Sequence, residues 1–139
     1  MKGHAGQNLK GVRLLKADAH SNSPGTVTGV AIDCQGFGEL LAIQTVDDVN
    51  TTGDIVTKFQ ESATGVTSPD SFTDITGGTF TEQTAVGLTV GRINLEKRMR
   101  YIRAVADIDD AAVDAAVLGV LVPNKNLPVE QVAALNFDV

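Results

Sequence analysis

The sequence predicts an all-β fold, an antiparallel β-sandwich or jelly roll, with an extended N-terminal arm and at most one short helix near the C-terminus. Three observations predict it. Short segments rich in β-branched residues recur along the chain, bounded by Gly, Asp, Asn and Pro clusters. No helical pattern of ten or more residues separates them, which argues against alternating βαβ units. A chain of 139 residues, 42% hydrophobic and 20% charged, is long enough to bury one core.

Residues 1–25 come first. They hold Gly3, Gly6, Asn8, Gly11 and Asn22 before the turn signal Ser23-Pro24-Gly25, with no sustained period of 2 or 3.6. We read them as an extended, basic arm, and residues 26–139 as the sandwich domain. Strands are predicted over 26–33 (TVTGVAID), 39–46 (ELLAIQTV) and 54–61 (DIVTKFQE). In the third, Ile55, Thr57 and Phe59 fall on one face and Val56, Lys58 and Gln60 on the other, the pattern of a half-buried strand. Between 68 and 84, Phe72, Ile75 and Phe80 are spaced among Asp70, Asp74, Gly77 and Gly78, as for short strands joined by a tight turn. Further strands are predicted over 86–95, 99–107 and 115–122. The continuous apolar run of the last favours a buried strand over a helix. Pro128–Leu135 is the one helix candidate, with Pro in its first turn and Val129, Val132 and Ala133 on one stripe.

Composition excludes several classes. No run approaches the ~20 consecutive apolar residues of a spanning helix. The lone Cys34 leaves no disulfide scaffold and no zinc knuckle, so a cytosolic folding environment is expected. The net charge of −6 disfavours nucleic-acid binding by the whole surface. That charge is divided unevenly. Lys2, Lys10, Arg13 and Lys16 are the only charges in the first sixteen residues, while the remainder carries seven basic and seventeen acidic residues.

No catalytic constellation is legible, and no enzyme, cofactor or resident metal is expected. His4 and His20 both lie in the arm, without a triad or clamp partner, and read as exposed. Gly36-Phe37-Gly38 lacks the helix and the Lys-Ser or Lys-Thr of a phosphate loop and reads as a turn. Asp48 to Asp54 opens like a calcium loop, but Phe59 stands where the bidentate Glu is needed, so a polar hairpin loop is expected. Asp107, Asp109, Asp110 and Asp114 read as an exposed strand connection that favours solubility. Asn50-Thr51-Thr52 matches a glycosylation triplet, without a secretory signal to give it meaning. The run Arg92, Lys97, Arg98, Arg100 and Arg103 has too few aromatics around it for a single-strand platform. Arg98, Arg100 and Arg103 are expected in structural ion pairs, within the chain or between subunits. In strand geometry Arg98 and Arg100 share a face with Ile102, and Met99, Tyr101 and Arg103 share the other.

The pieces Lys58-Phe59-Gln60-Glu61-Ser62, Phe72-Thr73-Asp74-Ile75 and Arg100-Tyr101-Ile102-Arg103 carry a resemblance. Over about residues 26–125 the chain resembles small β-sandwich virion proteins of tailed bacteriophages. The resemblance implies a capsid decoration or cement protein, made in the host cytoplasm, that binds the major capsid protein on the outer shell and stabilises it. It implies self-association as a dimer or trimer, and no membrane or nucleic-acid partner. No catalytic residue comes with it. Lys2, Lys10, Arg13 and Lys16 are the expected partner contacts, through an arm that orders on binding. The alternatives are a tail or head-tail joint protein and a receptor- or glycan-binding sandwich. The absence of Trp and the single Tyr lower the glycan reading.

Overall fold

In a computed structural model, residues 9–22 and 25–124 are described. Among them the chain is all-β, with nine strands in two antiparallel sheets packed face to face. The first sheet has the order β1 (Lys10–His20), β9 (Val113–Pro123), β4 (Phe37–Val49), β7 (Gly87–Asn94). The second runs β2 (Thr26–Thr28), β8 (Tyr101–Asp109), β5 (Asp54–Ser62), β6 (Thr73–Thr79), and β3 (Ile32–Asp33) pairs with the same edge of β8 as β2. The helix expected at 128–135 lies outside the described residues, as do Lys2 and His4.

Alternation decides which side chains enter the core. Ile55, Thr57 and Phe59 of β5 point inward at 0%, 0% and 3% exposure, as their spacing predicts. Leu40, Ala42, Gln44 and Val46 of β4 meet them from the opposite sheet. In β9, Val113, Ala115, Val117 and Leu121 face the core, and the strand is also flanked on both edges by β1 and β4. Its outer face carries Ala116, Leu118 and Val120, of which Leu118 is 46% exposed, so the apolar run covers the outside of the sheet as well as the core.

Four expectations need correction. Residues 10–20 are not a free arm but a sandwich strand, with Val12, Leu14, Leu15 and His20 buried. Among the described residues the sandwich therefore includes β1 as well as the strands after residue 26. The strand expected over 26–33 is broken into β2 and β3. Gly29 sits at the break, donating its N–H to the Ala104 carbonyl of the second sheet, and Val30 donates to the Leu14 carbonyl of the first. The two sheets are thus stitched together along this side. Between 68 and 84 a single strand forms, β6, with Phe72, Ile75 and Phe80 buried around it. The segment Asn50–Gly53 is not a hairpin loop either, because β4 and β5 lie in opposite sheets and it arches between them.

Candidate interaction surfaces

The arginines that the sequence singled out cluster around the start of β8. Because the strand begins at Tyr101, Arg98 and Arg100 precede it rather than sharing a strand face with Ile102. Each is nonetheless ion-paired within the chain. Arg98 Nη1 lies 3.2 Å from Glu61 Oε1, and the other oxygen of Glu61 accepts from the Met99 N–H at 2.9 Å. Arg100 grips Asp33 with both Nε and Nη2, at 3.0 and 2.7 Å. Arg103 sits on the outer face of β8 and is 6% exposed. Its guanidinium lies 4.1 Å from the centroid of Phe72, donates from Nε and Nη2 to Gln60 Oε1, and reaches Asp70 Oδ2 at 2.6 Å. These three cations fasten loops to strands: Arg98 and Arg100 tie the β7–β8 turn to β5 and to the residue ending β3, and Arg103 holds the segment before β6. Their partners, Asp33, Glu61 and Asp70, come from three different elements, which no short motif could have revealed.

These pairs have an acid signature. Asp33 and Asp70 are held below the ordinary carboxylate range chiefly by hydrogen bonds from Arg100 and Arg103, and Asp74 by Gln60 and then Lys58. A carboxylate whose folded pKa is depressed stabilises the fold above its unfolded value of about 4 and stops doing so as pH falls through the folded value. Thermal unfolding followed by circular dichroism is expected to show constant stability from neutral pH down to about pH 4 and a decline below it. Asp33→Asn should reduce that decline, and an unchanged acid limb would remove Asp33 from the account.

Two other residues behave differently from their sequence reading or add to it. His20 is buried, not exposed, and its Nε2 lies 3.0 Å from the Lys16 carbonyl and 3.2 Å from that of Ala115. Both neighbours only accept, so Nε2 carries the proton and donates, pinning the end of β1. Cys34 is buried at the end of the sandwich and burial pushes its thiol up to about 12, so it stays protonated and unreactive at neutral pH.

Of the expected contact residues, Lys10, Arg13 and Lys16 lie along β1 at the edge of the first sheet. Lys16 pairs with Asp18 at 2.8 Å, and Arg13 is exposed. The outer face of the same sheet holds a contrasting surface. Register places Leu118, Ile43 and Val90 side by side across β9, β4 and β7, with Val120 and Leu41 in the row on one side and Leu88 in the row on the other. Leu88, Val90 and Leu118 are 66%, 54% and 46% exposed. Among the described residues no group of His, Cys, Asp or Glu is arranged to hold a metal ion.

The sequence matches no protein-family model and no curated protein. Solved structures do match. The SPBc2 prophage-derived protein YomS superposes with a TM-score of 0.51 at 12% identity, over 82% of this chain and 92% of that one. The likeness is one of fold. The PBSX exported protein XepA superposes with the same score at 15% identity, over 93% of this chain and 41% of XepA. The all-β sandwich thus occurs as nearly the whole of YomS and as less than half of XepA.

Proposed function

We propose that the protein is a structural component of a tailed-phage particle, of the kind that decorates or cements the outer shell of the head. The observation that carries this reading is the fold shared with the prophage-derived YomS along nearly all of that chain. The virion-like pieces around Phe59, Phe72 and Tyr101 support it from the sequence. In this reading the partner is the major capsid protein and the chain performs no catalysis.

The contact we assign is the β1 edge, where Lys10, Arg13 and Lys16 stand on a chain whose remaining charge is strongly acidic. A strand edge is a better docking element than a loose arm, because its backbone is already ordered before binding. Attachment through exposed charges is screened over about 10 Å at 0.1 M salt. Binding of the purified chain to undecorated heads is therefore expected to weaken as salt rises. Arg13→Glu with Lys10→Glu is expected to weaken it about tenfold, the equivalent of ~1.4 kcal/mol. Binding indifferent to both would move the contact to the apolar outer face around Ile43.

Copy number on the particle tests the assignment itself. Hundreds of copies support the shell, whereas about six or twelve would place the protein at a tail or joint ring instead.

A further inference from the structure

We propose that β7 is a self-association edge: it pairs antiparallel with β7 of a second copy about a twofold axis at Val90, joining the two first sheets into one eight-stranded sheet. This goes beyond the particle reading and does not depend on it, since it requires only another copy of the chain.

The four sheet edges differ in how they guard against pairing. Proteins blunt an edge with charge, bulges, very short strands or cover. β1 carries Lys10, Arg13 and Lys16, has two register shifts against β9, and is engaged by Val30. β2 and β3 are three and two residues long. β6 has a register shift against β5 and bears Asp74 paired to Lys58 and Gln60. β7 has none of these devices along most of its length. It pairs with β4 in unbroken register from Asn94 to Gly87, its one charge is Arg92 near the end, and among the described residues no strand lies on its other side.

The sequence of β7 suits a copy of itself. With Val90 opposite Val90, Leu88 lies opposite Arg92, Thr89 opposite Gly91, and Gly87 opposite Ile93. Each inward-facing pair sets a small residue against a larger one, and no bulky pair collides. On the outer face the aliphatic stem of Arg92 covers Leu88 of the other copy. The two Arg92 charges stand four residues apart along the seam, about 13 Å, and each has its own Glu39 at 3.6 Å. Like charges therefore never oppose one another. The row Leu118, Ile43, Val90 continues across the axis into Val90, Ile43 and Leu118 of the second copy, and the exposed Leu88 and Val90 gain apolar neighbours. The strand offers eight residues a side, fewer than the roughly 20–30 of a standard interface, so the dimer is weak and concentration-dependent.

The test is sedimentation or light scattering of the full chain over a micromolar to millimolar series, with two variants. The parent is expected to move from monomer to dimer mass. Val90→Lys, whose side chain is exposed in the monomer, is expected to remain monomeric with an unchanged melting temperature. Val90→Cys is expected to give a disulfide-linked dimer under mild oxidation, because directly opposite residues bring their Cα atoms within about 4.5–5.5 Å. Leu118→Cys, on the same face but two strands from the axis, should not cross-link, nor should the parent with its buried Cys34. The cysteine pair keeps the test decisive should Val90→Lys fold poorly. A parent that stays monomeric throughout, forms a trimer or larger ring, or cross-links as readily through position 118 as through position 90 would overturn the proposal.

Discussion

Gly29→Val is expected to abolish folding or to cost about 3 kcal/mol or more in urea denaturation. The reason is backbone against backbone. A Cβ at Gly29 would fall almost on the Leu14 carbonyl oxygen, 2.9 Å from its carbon and 3.1 Å from the Ala104 oxygen. None of these atoms belongs to a side chain that can swing away. Leu14 is fully buried in β1 and Ala104 in β8, so relief requires separating the sheets where they are stitched. Gly36→Ala provides the contrast. Nothing lies within 4 Å of its added Cβ, but its φ of +86° is one that L residues rarely adopt, so a loss of about 1 kcal/mol is expected. Equal effects at the two positions would mean that steric closure at Gly29 does not hold the sheets together.

Thr57→Val is expected to cost about 2 kcal/mol, although it replaces a hydroxyl by a methyl of nearly the same shape. Thr57 and Gln44 are both 0% exposed and face each other across the sandwich, one from each sheet. The Thr57 hydroxyl donates to Gln44 Oε1, and Gln44 Nε2 donates to Gln83 Oε1 in the β6–β7 connection. Removing the hydroxyl leaves a buried amide oxygen without its donor, which is the costly case, whereas removing both partners is close to neutral. Gln44→Leu in the Thr57→Val background should therefore recover part of the loss, and a double-mutant cycle measures it. Strict additivity of the two substitutions would show that the bond contributes nothing to holding the sheets in register.

The legible strands were those whose pattern follows from one clean physical rule. In β5 the alternation of Ile55, Thr57 and Phe59 against Lys58 and Gln60 gave both the element and its buried face. In β9 the apolar run marked a central strand. β1 was hidden because its register shifts put Leu14 and Leu15 both inside and destroy the period of 2, while Gly11 and the preceding glycines suggested a loose arm. The burial of His20 is hidden for the same reason, since it depends on a strand that the pattern does not show. The ion pairing of Arg98, Arg100 and Arg103 was legible from residue type. Its partners were not, lying 37, 67 and 33 positions away. The alternation of Leu88 and Val90 with Thr89 and Gly91 was visible as a strand, but only the fold shows that the larger side chains are the ones facing out.

The pairing of Lys10 with Leu121 has a mechanical consequence. It brings the beginning of β1 and the end of β9 together at one pole of the sandwich, on adjacent antiparallel strands. A load applied through both would meet the hydrogen bonds between those strands one rung at a time and peel β1 away like a zipper. Force transmitted instead across the sheet faces would be shared by many rungs at once. The sandwich is therefore weaker against a pull through Lys10 and Leu121 than against force spread across its sheet faces.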